Sequence, residues 1–573
     1  MNATELRKEN DHLKEALAQV LVQLQESQSQ HEATAQQFSE TLEEKERQVA
    51  ALEHQIKLLL QRIRGSRQER IDPDQLLLFS IEELEEIAQQ MRLHPGGEEL
   101  IDDGSSKKKR RKRTPGRVGK LPDHIERETI RYELSEAERL CPCCGGLRRE
   151  IGVESSEQLE LIPARLKGIQ HDRVKYACRN CEEHVVVAPK PPQPIEKGLP
   201  GPGLCAHTVL SKFGDHQPLY RQEDIHSRLG KTIRRSTLCG WQATLAQLAL
   251  ALVMRMKFLI LESKVIHTDD TSIKMLAPGR GKTQTCKFWP YLGDWLHPYA
   301  VYDFTLTRER DGPRKFLEDY EGYLQADAYS GYDCIYASDR VAEVACWIHA
   351  RRYWHQARDN DPVRANQALG FIARLSQIET QLRQAYPRQN LQGERDFEAV
   401  ARGRNQYALP ILKEFKAWLD QETEDRRLLP KSPIQAAFTY TLNQWDALVR
   451  YTEEGYLSLD NNVAERLVKI PAIGRRNYLF VGSQRGGEGA AVMYSLVSSA
   501  KVNGVEPFAW LRDVFNQLPY HRDGEAFHQT AGGVPVNSAE LDHLLPDKWL
   551  EANPGHVWTI DHIRREERKN RAG

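Results

Sequence analysis

The run KVIHTDDTSIKML, Lys264–Leu276, constrains the fold more than any other stretch. Val265, Ile266 and Ile273 are β-branched residues bounded by charge, the pattern of a short strand. That strand carries an acid pair, Asp269 and Asp270, at its centre. A carboxylate inside a large fold is costly unless it binds a cation or is hydrogen-bonded. A strand end with solvated acids accounts for the pair equally well, so the run by itself leaves both readings standing.

The chain has 573 residues, more than one core can serve, since single cores rarely grow past roughly 250–300 residues. Ten cysteines in this length do not make a disulfide scaffold. No continuous apolar run reaches the roughly 18 residues that span a bilayer, and MNATELRKENDHLK lacks a signal peptide's apolar core. An intracellular protein with no membrane partner is expected. Net charge is −1, so any affinity for nucleic acid must come from local patches.

From Leu6 to about Arg64 there is neither Pro nor Gly. Leu6, Leu13, Leu17, Val20 and Leu24 keep 3–4 spacing, and Phe38, Leu42, Val49, Leu52, Ile56, Leu59 and Ile63 resume it after a polar middle. Residues 1–64 therefore read as a coiled-coil dimerisation arm with a stutter, the competing reading being a long helix folded back on its own protein. Residues 65–120 hold an amphipathic segment and a linker with seven consecutive cations, Lys107, Lys108, Lys109, Arg110, Arg111, Lys112 and Arg113. Such a run cannot pack. It attracts phosphate backbone without sequence preference, or it merely solubilises.

Within residues 121–190, Cys141–Cys144 and Cys178–Cys181 form two CxxC pairs. Two such knuckles complete a tetrahedral four-thiolate zinc site, closed and therefore structural, in a zinc-ribbon-like module. Cys143 offers an alternative register, and a redox pair or unrelated buried thiols are the competing readings. The Pro-rich stretch Lys190–Gly203 marks the next boundary. In the helical region 191–262, Leu219–Leu229 and Ser236–Leu248 read as two helices about a turn, with Ser236 as N-cap and Arg234 and Arg235 just ahead of it. This fits a DNA-reading helix-turn-helix, and equally any α-rich domain.

Phe288–Gly293 and Pro298–Phe304 are aromatic-rich strand candidates, and a helical piece lies near Arg314–Tyr320. Asp327 ends a further short strand, and Val341–Ile348 leads into His349, Arg351 and Arg352. Three strands in meander, then strands alternating with helices, resemble the order of a ribonuclease-H-like α/β domain, whose first part spans 263–354. Residues 355–455 read as a helical insertion, with Phe371, Ile372, Leu375, Ile378 and Leu382 on one face and Ile411, Leu412, Phe415, Trp418 and Leu419 on another. The chain returns at 456–520, where Asp460 or Asn461 caps a helix carrying Glu465. Gly474–Asn477, with Arg475 and Arg476, and Gly482–Gly489 read as polar loops.

From about Leu58 to Pro519 the chain carries, in order, the stretches RIDPDQLLLF, CPCCGG, APKPPQPIEKGLPGPGL, PLYRQEDI, STLCGW, HTDDT, APGRGKT, YLQADAYSGY, CWIHARR, LDNNVAERLVK, GRRNYLFVGS and SLVSSAKVNGVEPFAWL. Over these stretches it resembles the transposases of the bacterial insertion-sequence family sixty-six. It implies a leucine zipper, a zinc module, a DDE catalytic domain with an insertion, and a short C-terminal element. The multidomain α/β protein so implied is a DNA transposase that cuts element ends and joins them to target DNA.

The catalytic acids carry over as Asp269, Asp327 and Glu465, with Asp270 standing where the family usually has Glu. Two Mg²⁺ or Mn²⁺ ions would be shared among them, Asp269 bridging, beside one structural Zn²⁺. His349, Arg351, Arg352 and Arg466 are candidate strand-positioning groups, since Arg matches phosphate geometry, or ordinary surface pairs. DNA is the expected partner, with self-association through the coiled coil, small accessory proteins of the same element, and a bacterial cytoplasmic, nucleoid-associated setting. A catalytically inactive DNA-binding relic and a structure-specific nuclease are the competing functions. Residues 521–573 match weakly, apart from LLPDKW near Leu544–Trp549, and receive no role.

Overall fold

The computed structural model describes residues 166–172, 175–176, 186–187, 190–277, 279, 281–390, 392–424 and 430–558. The expected coiled coil, the run Lys107–Arg113, all four zinc cysteines and the residues from 559 onward lie outside these. Short strands β1 (Lys175–Tyr176) and β2 (Val186–Val187) pair antiparallel and bracket Cys178 and Cys181 in sequence.

Three helices follow: α1 (Pro202–Phe213), α2 (Leu219–Arg228) and α3 (Arg235–Ile260). Ser236 lies inside α3 and Arg234 holds the N-cap position, so the expected cap is displaced by two residues. The reason is tertiary: the backbone N–H of Arg235 donates to Glu223 Oε2 at 3.1 Å, which satisfies an orphan donor from a neighbouring helix. Among the described residues α3 alone is long and apolar enough to cross a membrane, with mean hydropathy 1.6 in its best window. Its Leu245, Leu248, Leu252 and Met256 are buried in the main core, so it is a core helix of this fold.

The sheet is built from β3 (Val265–Thr268), β4 (Thr271–Met275), β5 (Gln284–Leu292), β6 (Ala300–Thr305), β7 (Gly322–Gln325) and β8 (Val341–Val344). β3 and β4 are one strand line interrupted at Asp269–Asp270. Thr268 pairs with Tyr291 and Thr271 with Phe288, so β5 runs antiparallel past both without a slip. β6 adds antiparallel to β5, whereas β7 lies parallel to β3 and β8 parallel to β7. The mixed sheet therefore reads β8-β7-β3/β4-β5-β6, and a short later strand, Phe480–Val481, joins it parallel to β4.

The chain then forms α4 (Trp347–Ala357), α5 (Pro362–Ala385), α6 (Leu409–Thr423) and α7 (Pro433–Asn443). Residues 346–385 and 398–455 make a compact unit of their own. Both apolar faces read from the sequence are buried in it. Its core stacks Phe371 on Phe415 and packs Trp354 against Phe438, and it encloses an Arg404–Glu379 ion pair at 2.7 Å.

Returning to the sheet-bearing unit, the chain makes α8 (Asn462–Tyr478), β9 (Phe480–Val481), α9 (Gln484–Val502) and α10 (Pro507–Gln517). The two Gly/Arg stretches expected as loops are mostly helix. Gly474–Asn477 is the last turn region of α8, and Ser483 caps α9 by accepting from Gly486 N at 3.2 Å. Gly487 is buried because a Cβ there would run into the Phe304 ring, so this glycine serves close helix–strand approach. Small residues continue the contact. Ser495 and Ser499 accept the outward backbone N–H groups of Tyr302 and Ala300 at 2.8 and 3.0 Å, so α9 satisfies the edge of β6.

Residues past 521 also have a place, up to 558. Leu541, Leu544, Leu545 and Trp549 join the main core, and Asp542 binds Arg255 of α3 at 2.7 Å.

Candidate active site

Parallel pairing of β3 with β7 sets His267 opposite Gln325. Two residues further along each strand come Asp269 and Asp327, so the register alone brings them level at adjacent C-terminal strand ends. Loops at such ends are where open α/β sheets place their ligands. One oxygen from each of Asp269, Asp270 and Asp327 lies within 4.8 Å of the others.

Glu465 arrives on the first turn of α8, and the residues before it fix that helix to the sheet. Asp460 Oδ1 accepts from Asn462 N at 3.0 Å and so caps the helix. Asn461 spends its amide on β3 instead: Nδ2 donates to Thr268 O at 2.8 Å, and Oδ1 lies 3.2 Å from His267 Nδ1. Burial pushes His267 down to about 4, so the imidazole is neutral and its Nδ1–H donates to Asn461. This anchor lies directly before Asp269. At the other end of α8, Arg475 donates to Thr271 Oγ1 at 3.1 Å and to Ser272 O at 2.6 Å.

The carboxylates repel one another. Burial first, then the charges of Asp327, Glu465 and Asp270, push Asp269 up to about 8. Asp327 is also raised, mainly by burial and by Asp270, with Arg308 opposing. A half-buried group of acids that resists full ionisation, with only oxygen ligands on offer, fits a hard divalent cation such as Mg²⁺ or Mn²⁺.

Asp270 differs from Asp269 in its partners. Lys287 of β5 binds Asp270 Oδ2, and Arg308 binds Oδ1, with Nη2 at 2.6 Å. Ser272, two residues from Asp270, pairs with Lys287, so strand alternation puts Asp270 and Lys287 on one face. The Arg308 guanidinium also reaches Asp327 at 3.7 Å and lies over the Tyr329 ring at 4.1 Å.

Sequence reasoning missed Lys287, Arg308 and Asn461. The β5 alternation was a usable signal for Lys287, and Asn461 was read only as a cap. Arg308 follows β6 in an irregular segment and gives no local signal.

The other expected contact residues lie on separate elements, and of these the charge of Arg466 reaches His267. Arg234 and Arg235 are exposed at the start of α3, and Arg466 and Arg476 are exposed on α8. His349, Arg351 and Arg352 lie on α4 of the helical unit, where burial pushes His349 down to about 4 and leaves it uncharged at neutral pH.

Comparison with known proteins adds a consistent set of matches. Residues 197–489 match the family described as Transposase IS66 family, and 138–182 match the zinc-finger binding domain of transposase IS66. Residues 495–529 match the IS66 C-terminal element, and 51–130 match a region described as Transposase C of IS166 homeodomain. Three Sinorhizobium fredii (strain NBRC 101917 / NGR234) proteins are similar over most of their length. They are "Uncharacterized protein y4jD", 30% identical over 91% of this chain and 99% of the relative, and "Uncharacterized protein y4hP", 31% identical over 89% and 90%. The third, "Uncharacterized protein y4qI", is 29% identical over 87% of this chain and 88% of its own length.

Proposed function

Because the chain belongs to the IS66 transposase family, we propose that it cuts DNA at insertion-sequence ends and joins those ends to target DNA. The observation that carries this reading is the convergence of Asp269, Asp327 and the Glu465 charge at the strand ends, with Asp269 pushed up to about 8. The strand order β8-β7-β3/β4-β5-β6, a meander extended by two parallel strands, supports a ribonuclease-H-like domain.

Asp269, Asp327 and Glu465 hold the divalent ions in this proposal. Divalent ions held by these three acids would supply activation of the attacking water or 3′-hydroxyl and charge neutralisation at the leaving oxygen. Asp270 is committed to Lys287 and Arg308, which favours Asp269 as the shared ligand. Asn461 positions Glu465 by clamping α8 to β3. Zinc held by Cys141, Cys144, Cys178 and Cys181 would shape the N-terminal module, and Lys107–Arg113 would add salt-dependent backbone affinity. Self-association would run through residues 1–64.

The test is cleavage and strand transfer with a duplex taken from the DNA flanking the gene, with and without Mn²⁺. Asp269→Asn, Asp327→Asn and Glu465→Gln should each abolish cutting and joining while end binding persists. Strand transfer retained by any of the three would remove that residue from the catalytic set. A wild-type chain that binds ends but never cuts would be the inactive relic.

A further inference from the structure

We propose that α2, its turn and the first three turns of α3 form a helix-turn-helix surface that reads duplex DNA, with α3 entering the major groove. The inference rests on the transposase reading for its partner and goes beyond it by naming the surface that recognises sequence.

The pair is built as a fixed unit. α2 ends where Lys231 N bonds back to His226 O and Gly230 N to Ser227 O, both at 3.1 Å, with Gly230 at φ +96°, a conformation glycine adopts without strain. Glu223 of α2 caps α3 through the Arg235 N–H. Buried Ile233, Leu238 and Trp241 form a small core of their own, with Leu204 of α1 and Leu219 of α2 packed on it. The later turns of α3 run into the main core, so the exposed turns stand on a rigid base.

What these turns expose is suited to a polyanion. Residues 219–244 contain five cations and two acids, and Arg228, Lys231, Arg234 and Arg235 are all exposed around the turn and the helix start. On α3 itself the outward positions include Thr237, Gly240 and Thr244. Gly240 is the informative one. A glycine in an exposed helix interior costs about 1 kcal/mol relative to alanine. A Cβ at this position would meet nothing within 4 Å, so the fold itself has no use for the missing side chain. A groove wall pressed against the helix does. The ~12 Å width of the major groove admits a helix, and arginine is the side chain best matched to guanine edges there. An acidic protein surface would accept the cations but would not require the bare helix face.

The experiment uses the full chain and fluorescence anisotropy on two duplexes, one from the DNA flanking the gene and one with its sequence scrambled. Cutting of the first duplex with Mn²⁺ is measured in parallel. Gly240→Glu should fold at least as well as wild type, because it fills open space and improves helix propensity. It should nonetheless bind the flanking duplex at least tenfold more weakly. Arg234→Ala with Arg235→Ala should give a similar loss and a shallower salt dependence, and both variants should lose preference for the flanking over the scrambled duplex.

If wild type cuts and both variants bind, discriminate and cut as it does, the surface is not the reader and only this inference falls. If wild type neither binds nor cuts either duplex, the transposase reading falls and takes the inference with it. Unchanged DNA binding by Gly240→Glu with lost self-association in sedimentation would assign this face to a second copy and overturn the proposal.

Discussion

Replacing Asp269 by asparagine should make the metal-free protein more stable, and the gain should depend on pH in a calculable way. Folded Asp269 titrates at about 8 against an ordinary 3.8, through burial and the neighbouring acids. Between those values the folded chain holds a proton that the unfolded chain has released, so stability falls as pH rises through this window. The penalty begins near pH 4, grows with each unit, and is complete above pH 8. At 1.36 kcal/mol per unit the ceiling is about 5–6 kcal/mol, and partial solvent access with side-chain relaxation reduces the expected gain to about 2–4 kcal/mol.

Asparagine has the shape of the protonated acid and never pays this cost. Urea unfolding in EDTA, followed by tryptophan fluorescence, should therefore show Asp269→Asn ahead of wild type at pH 8.5 and level with it near pH 4.5. Adding Mn²⁺ at pH 8.5 should stabilise wild type and leave the variant unmoved. Parallel stability curves across pH, or a variant less stable at pH 8.5, would refute the argument that the acids are mutually strained.

Other consequences follow from particular contacts. Asn461→Leu removes the bonds that clamp α8 to β3. It should cost about 1–3 kcal/mol in urea unfolding and slow strand transfer without weakening DNA binding. Arg404→Met leaves Glu379 buried without its cation and should destabilise the helical unit by about 3–5 kcal/mol, most of it recovered in the double variant with Glu379→Leu, as read by thermal melting. Gly487→Ala pushes into the Phe304 ring and should cost about 1–3 kcal/mol on the same assay. Cys178→Ser should lower zinc content measured by atomic absorption and weaken end binding, and unchanged values for both would exclude its role as a ligand.

The elements that periodicity reveals were legible in the sequence. The β-branched run at 264–276 is extended, though split into β3 and β4 at Asp269–Asp270, the aromatic strands at 284–305 are there, and both apolar faces of the helical stretch are buried. Asp269 and Asp327 were joined in advance only by the family resemblance, since the sequence puts the acid pair at a strand's centre; the break after β3 and the parallel register with β7 supply the physical reason. What failed depended on contacts from elsewhere. The Gly-rich stretch at 482–489 looks like a loop to any local rule, yet Gly487 is glycine because a helix must lie close to Phe304. Ser236 is a good cap by type, but Glu223 performs that service from another helix. The C-terminal residues carry little beyond LLPDKW, and their value is an arginine partner for α3 and a set of buried apolar side chains that includes Leu541, Leu544, Leu545 and Trp549.

The same distinction explains how two adjacent aspartates come to differ. Local sequence treats Asp269 and Asp270 alike, and both contribute an oxygen to the three-acid cluster. Alternation along the interrupted strand turns Asp270 toward the face of Ser272 and Lys287, where Lys287 and Arg308 each take one of its oxygens. Two cations therefore commit both oxygens of Asp270 to ion pairs. No cation is among the groups that shift Asp269; only the backbone N–H of Asp270 favours its ionised form, and three carboxylates oppose it. At neutral pH a proton takes the place that a divalent cation would fill. With that proton gone, the four acids carry four negative charges against the two positive charges of Lys287 and Arg308. In the proposed function one divalent ion would balance the difference, and a second would leave an excess of positive charge that a DNA phosphate could offset. On that proposal the charge count would tie full loading of the site to the arrival of its substrate.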